Sequence, residues 1–267
     1  MSDLPGYMHT FGVYLRFQFR NEWRTTLFWT IGLSIYAGLI VSIYPSVKGA
    51  VNLEAIPEGL RTAFNINDFT QLASFLSSQL LGVIMPLLLP FYGMIMLSNV
   101  VAGAEERGRL DILLGNPIPR WQPIVGSFFV VAVYLLGIVI VLGGVIWSLA
   151  RFLDLTLTIE QAMRATFALW PTSLAFGALA LFVSTRVRQR SLALGLPAAI
   201  VFLMYLFNVI GRLADSVRWI RWTSAYNYYG TAITDGIWWP GMITLLAAAV
   251  ILVVLAIVSF NRRDIYA

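Results

Sequence analysis

Ile124–Leu149 reads IVGSFFVVAVYLLGIVIVLGGVIWSL, 26 residues without one charged side chain. The hydrocarbon core of a bilayer is about 30 Å thick, and a helix crosses it with about 20 apolar residues. Helix is the form required there, because lipid offers no hydrogen-bond partner to backbone N–H and C=O groups. Five other stretches meet the same criterion: Leu27–Tyr44, a segment within Phe69–Gly103, Thr166–Ser184, Leu192–Ile210 and Gly241–Phe260. The fold class is therefore an all-α integral membrane protein with six transmembrane helices, in a single domain over residues 1–267. Composition points the same way. Hydrophobic residues make up 59% of the chain and charged residues only 12%, where soluble domains carry about 25% charge.

Span two is too long for one straight crossing. It carries Pro86 and Pro90, four residues apart, so two backbone donors are missing on one helix face. A kink is expected there, with the freed carbonyls satisfied by neighbouring helices. Pro171 and Pro197 are candidates for bends in spans four and five. Ser173 and Gly177 form a small-xxx-small pair, which should let another helix approach closely.

Six spans put both termini on one side, and charge chooses the side. The terminal side carries eleven basic residues against six acids, and the other side seven against seven. The whole net charge of +5 thus lies with the termini, which the positive-inside rule places in the cytoplasm. Location in the cytoplasmic membrane follows. Before span one, Phe11, Leu15 and Phe19 share a helix face, while Arg16, Arg20 and Arg24 form a stripe opposite. That pattern suits an amphipathic helix lying in the inner interface, aromatics among acyl chains and arginines on lipid headgroups; a simple extension of span one is the other reading. On the outer side, Gly211–Pro240 holds Trp219, Trp222, Tyr226, Tyr228, Tyr229, Trp238 and Trp239. Rings of this kind favour the headgroup level, so short interfacial or re-entrant helices are expected before span six.

Several functions are excluded by missing residue types. Lys48 is the only lysine and is followed by Gly49, so no GxxxxGK[ST] phosphate loop exists. His9 is the only histidine and precedes every span. No HExxH zinc site and no Ser-His dyad can form within the bilayer, and no metal or catalytic residue is assigned. Glu105-Glu106 matches the start of the EExxxR motif of intramembrane proteases, but Leu110 stands where that motif needs arginine. The basic residues form no run suited to nucleic acid. The spans also lack mid-membrane ionisable groups, which proton- and cation-coupled carriers use. A passive channel or lipid-interacting scaffold remains open; otherwise energy must come from a partner.

The loop between spans two and three reads AEERGRLDILLGNPIPR, residues 104–120. Leu110, Leu113 and Leu114 fall on one face of a short helix, with Glu105, Glu106, Arg107, Arg109 and Asp111 around it. Gly115-Asn116-Pro117 stops the helix. Such an element, held at both ends by membrane helices, can dock in the groove of a soluble partner and transmit a push. An ordinary interhelical loop is the alternative.

This stretch resembles the signature E-x-G-[TS]-L-[DE]-x-L-L-x-x-P-x-x-R of type-2 ABC transporter permeases. It matches at Glu106, Gly108, Leu110, Asp111, Leu113, Leu114, Pro117 and Arg120, with Arg109 in place of Thr or Ser. The ending Phe260-Asn261-Arg262-Arg263-Asp264-Ile265 is similar to the basic-Asp ending of that family. Trp222–Tyr229 is similar to its Ser-Pro-aromatic stretch, with Ala225 replacing the proline. The resemblance implies an interfacial N-terminal helix, a cytoplasmic coupling helix in this loop, and a second permease subunit, identical or different. It also implies two copies of a cytoplasmic ABC ATPase, which would hold the ATP and Mg; this chain needs no cofactor of its own. Substrates of the family are mostly exported and include hydrophobic and amphipathic molecules. For a pathway, Met94, Met96 and Asn99 on span two and Tyr205 and Asn208 on span five are the candidates, as polar or polarisable groups in apolar helices. Helix–helix packing is the alternative role for each.

Overall fold

The computed structural model describes residues 4–48, 58–63, 71–108 and 119–263, and these are helical with short connections. Among the described residues six helices are long and apolar enough to cross a membrane: Thr10–Val47, Leu72–Ser98, Trp121–Phe152, Ile159–Ser184, Arg190–Leu213 and Trp239–Asn261. Each contains or overlaps one of the six apolar stretches. Side chains such as Phe28, Ile35, Leu39, Phe202, Ile243 and Val250 are exposed along their outer faces. A soluble monomer does not carry so continuous an apolar surface; lipid is the solvent that suits it.

The first span belongs to α1, Leu4–Val47. At about 1.5 Å per residue its 44 residues extend about 66 Å, roughly twice the hydrocarbon thickness. The structure departs here from the expectation of a separate interfacial helix. No break divides the Phe11–Arg20 stretch from the span. Its aromatic face is turned largely onto α6 (Trp121–Phe152): the rings of Phe11 and Trp121 are 5.6 Å apart, and those of Phe19 and Tyr134 5.3 Å. The Tyr14 hydroxyl lies 2.8 Å from Ser127 Oγ and accepts from Gln18 Nε2 at 2.6 Å. A Cβ at Gly126 would stand 2.8 Å from the Tyr14 ring, so glycine is what admits the ring. Leu15 is half-buried, and Arg16, Arg20 and Arg24 remain exposed. Helix burial by aromatic packing outweighs a break, because nothing in the sequence between Phe19 and Leu27 stops a helix.

A helix α2, Glu58–Ala63, lies on the opposite side. Span two is built from α3 (Leu72–Gln79), a π-helical turn (Leu80–Ile84) and α4 (Met85–Ser98). The widened turn sits where Pro86 would clash with the carbonyl four residues earlier. Pro90 cannot donate to the Pro86 carbonyl, and the Tyr226 hydroxyl donates to it instead, at 3.1 Å. The helix thus departs from regular α geometry where the prolines stand, and the expected rescue is present at the Pro86 carbonyl.

After α4 comes α5 (Ala102–Glu106), then α6. Span four is α7 (Ile159–Phe167) and α8 (Leu169–Ser184). They are divided at Ala168, beside the carbonyl of Phe167 that the Pro171 ring opposes. Thr158 opens α7 with a reciprocal capping box to Gln161. Span five is α9 (Arg190–Leu213), which continues through Pro197. The centre of the bundle is α8, where Thr172 and Ser173 are fully buried. A Cβ on Gly93 of α4 would stand 3.3 Å from the Ser173 carbonyl and 3.6 Å from Gly177 Cα. The Ser173–Gly177 pair thus does bring a second helix to backbone contact, and the second helix is α4.

The aromatic stretch after α9 forms a 3-10 helix (Asp215–Thr223) and α10 (Ala225–Tyr229), followed by turns and the sixth span, α11 (Trp239–Asn261). The rings divide by position. Tyr226 is buried, whereas Trp219, Trp222, Trp238 and Trp239 are exposed. Ser224 caps α10, accepting from the Tyr226 N–H, and its hydroxyl donates to the Met204 carbonyl at 2.6 Å.

Candidate functional site

The site is built at the end of the bundle that carries the C-terminus. Helix α5 ends on Gly108, whose φ of +63° is left-handed, and the Gly108 N–H closes on the Glu105 carbonyl at 2.9 Å. A residue with a Cβ is strained there, so the glycine of the motif has a local reason. The short helix presents two carboxylates to different neighbours. Glu105 Oε2 is 2.7 Å from Arg263 Nη2, and Glu105 Oε1 is 3.7 Å from Arg188 Nε. Glu106 Oε2 accepts the backbone N–H of Arg190 at 2.8 Å. Arg190 is the first residue of α9, where N–H groups lack intrahelical partners and the helix dipole favours an anion.

Two arginines complete the cluster. Arg120 Nη1 donates to the Arg263 carbonyl at 3.2 Å, and Arg263 Nη1 donates to the Thr185 carbonyl at 3.5 Å. Both ends of the 104–120 loop, the connection between spans four and five, and the chain end after span six therefore meet in one place. The Arg263 and Glu105 side chains are only 16% and 28% exposed, so their attraction is screened less than that of a surface pair. Arg188 is 66% exposed, and its contact is the weaker one. Arg109, Leu110, Asp111, Leu113, Leu114 and Pro117 lie outside the described residues.

Beside this cluster, between α1, α4 and α6, is an open cavity of about 470 Å³. Ala104 and Arg107 form its edge, Gln18, Asn21 and Glu22 reach it from α1, Met96 and Asn99 from α4, and Ser127 from α6. Its size falls in the usual range of ligand pockets, which combine apolar walls with a few placed polar groups. Asn99 turns its Nδ2 onto the Ile95 carbonyl at 2.8 Å, and its Oδ1 is buried with no hydrogen-bond partner.

The five pathway candidates do not converge. Met96 and Asn99 share the cavity. Met94 is fully buried against Phe176, Val201 and Tyr226. Tyr205 packs edge-on against Tyr226, ring centres 5.5 Å apart. Asn208 is buried at the opposite end, beside Arg212 and Tyr229.

The family model for ABC-2 family transporter protein matches residues 18–265, nearly the whole chain. The chain belongs to the ABC-2 transporter family. The match covers all six spans and the ionic cluster together. Comparison with curated proteins finds no match. The molecule is thus an ABC-2 type permease, a transport membrane subunit, and membership implies an ABC ATPase as its partner in general. Sequence reasoning named Glu105, Glu106, Arg120 and the basic chain end, but did not join them. The signal was available in the charge balance: Glu105 and Glu106 are two of only six acids on a face with eleven basic residues. Gln18, Asn21, Glu22 and Ser127 were not named, because their cavity exists only where three helices from distant parts of the chain meet.

Proposed function

We propose that this permease is the membrane-spanning subunit of an ABC exporter that moves a hydrophobic or amphipathic substrate across the cytoplasmic membrane, both termini cytoplasmic. Two permease subunits, identical or different, would form the pathway, and two cytoplasmic ATPase subunits would bind ATP and Mg and supply the energy. The observation that carries this reading is the coincidence of the ionic cluster and the cavity at the loop matching the coupling signature. Ala104 and Arg107 edge the cavity, and Glu105 and Glu106, in the same helix, hold the cluster. A push on Arg109–Arg120 would therefore act on a cavity wall and on the start of span five at once. Differential binding of the ATPase to two arrangements of this helix would shift their populations. Arg16, Arg20 and Arg24 would meet anionic headgroups at the inner surface.

The experiment is purification of the permease from its native host, followed by reconstitution with the ATPase that accompanies it. Glu106→Arg and Asp111→Arg should insert normally and retain ATP hydrolysis while transport is lost. Full transport by these variants, or uphill transport by the permease alone, would refute the reading and favour a channel or scaffold.

A further inference from the structure

On the face opposite the termini, two guanidinium groups come near enough to oppose each other's charge, with no carboxylate paired to either among the described residues. Arg212 stands in the last turn of α9. Arg221 lies near the end of the 3-10 helix that folds back on α9, and a Cβ at Gly211 would collide with its side-chain stem. Glycine at 211 is thus what lets the Arg221 stem lie against the α9 backbone, one residue from Arg212, which feels the Arg221 charge. The Nε of each arginine is buried and has no hydrogen-bond partner. Arg218 is on the same 3-10 helix, and burial, then the charge of Arg218, makes Arg221 a weaker base than an ordinary arginine. Arg164, also on this face, has a buried, unpartnered Nε too, but its Nη1 is paired with Glu160 at 3.4 Å.

Half-buried like charges are costly unless something neutralises them. The carbonyl end of α9 offsets part of one charge but not of two or three. Among the described residues no carboxylate forms an ion pair with Arg212, Arg218 or Arg221; the Asp215 side chain lies outside them. Trp219 and Trp222, each 66% exposed, stand on the same 3-10 helix as Arg221, and tryptophan at a membrane edge marks the headgroup level.

We propose that Arg212 and Arg221 form a site for the phosphate of an anionic lipid headgroup, with Arg218 at its rim and Trp219 and Trp222 set in the surrounding interface. Guanidinium forks match phosphate oxygens with paired, charge-assisted hydrogen bonds. An anionic lipid suits the site better than a zwitterionic one, whose ammonium would meet uncompensated positive charge. The site depends on the six-span fold but not on coupling to an ATPase, so either proposal can fail without the other.

The test is native mass spectrometry of the full-length permease in detergent, titrated with phosphatidylglycerol, phosphatidylcholine or inorganic phosphate. Arg221→Gln and Arg212→Gln/Arg221→Gln are compared with the wild type, and Arg16→Gln/Arg20→Gln controls for lipid held at the inner surface. Phosphatidylglycerol affinity at one site should fall about tenfold in the double variant, less in Arg221→Gln, and not at all in the inner-face control for that site. Thermal melting of Arg221→Gln within a few degrees of wild type keeps the comparison valid if the double variant fails to fold. Equal retention by wild type and Arg221→Gln overturns the proposal, as does equal preference for phosphatidylcholine. Loss of inorganic phosphate binding alone, with lipid retention unchanged, overturns the lipid assignment in favour of a soluble anion. A gain of phosphatidylglycerol on Asp215→Asn would identify Asp215 as the internal counter-ion and overturn it too.

Discussion

At the end of the bundle that carries the C-terminus, Glu105 reaches Arg263 and Arg188, and Glu106 reaches the first N–H of α9. At the opposite end, Tyr226 and Ser224 donate to the carbonyls of Pro86 and Met204. The first set joins loops by charge; the second joins helices by neutral hydrogen bonds inside packed aromatic surroundings. Charge acts over a distance and weakens with salt, so an ionic joint can loosen without repacking the core. A buried phenol on a proline-freed carbonyl has no substitute partner once it moves, so that joint holds one geometry. On the proposed mechanism, in which the push arrives from one face, a yielding joint there and a fixed one opposite would serve the permease.

The largest break in this comparison should come from the fixed end. Tyr226→Ala removes a buried ring that touches Phe176 and Tyr205, and should cost about 3–5 kcal/mol of stability, read as a large fall in melting temperature in detergent. Tyr226→Phe keeps the ring but leaves the Pro86 carbonyl unpartnered, for about 1–3 kcal/mol. Burial raises the Tyr226 phenol well above its ordinary value, so it stays a donor, and this joint should not change between neutral pH and pH about 9. At the ionic end, a double-mutant cycle of Glu105→Gln and Arg263→Gln should give a coupling of about 1 kcal/mol, shrinking in high salt, while the Tyr226 effects do not. The Glu105–Arg188 contact should contribute no more than about 0.5 kcal/mol in a Glu105→Gln/Arg188→Gln double-mutant cycle, because it is long and exposed. A salt-insensitive Glu105–Arg263 coupling, or a salt-sensitive Tyr226→Phe effect, would erase the distinction between the ends.

The six spans were legible because membrane crossing is a local requirement, met by length and hydropathy within one segment. The irregularity of span two was legible for the same reason: Pro86 and Pro90 act on their own helix. The fate of the N-terminal stretch was not. Its amphipathic pattern is equally served by lipid or by another helix, and Gly126 on α6, more than a hundred residues away, decides for packing. The candidate site divides along the same line. Glu106, Gly108 and Arg120 stand in a contiguous motif, whereas Arg263 joins it only through the folded bundle.

Sequence alone determined that this chain carries six stretches long and apolar enough to cross a membrane, that its net charge is positive, and that it contains no GxxxxGK[ST] phosphate loop. Those properties follow from residue type and from order along the chain. The tertiary structure decided which carboxylate meets which arginine, which tyrosine serves the carbonyl freed by proline, and where three helices leave a cavity. Such pairings depend on distances between segments far apart in sequence, and only packing fixes those distances.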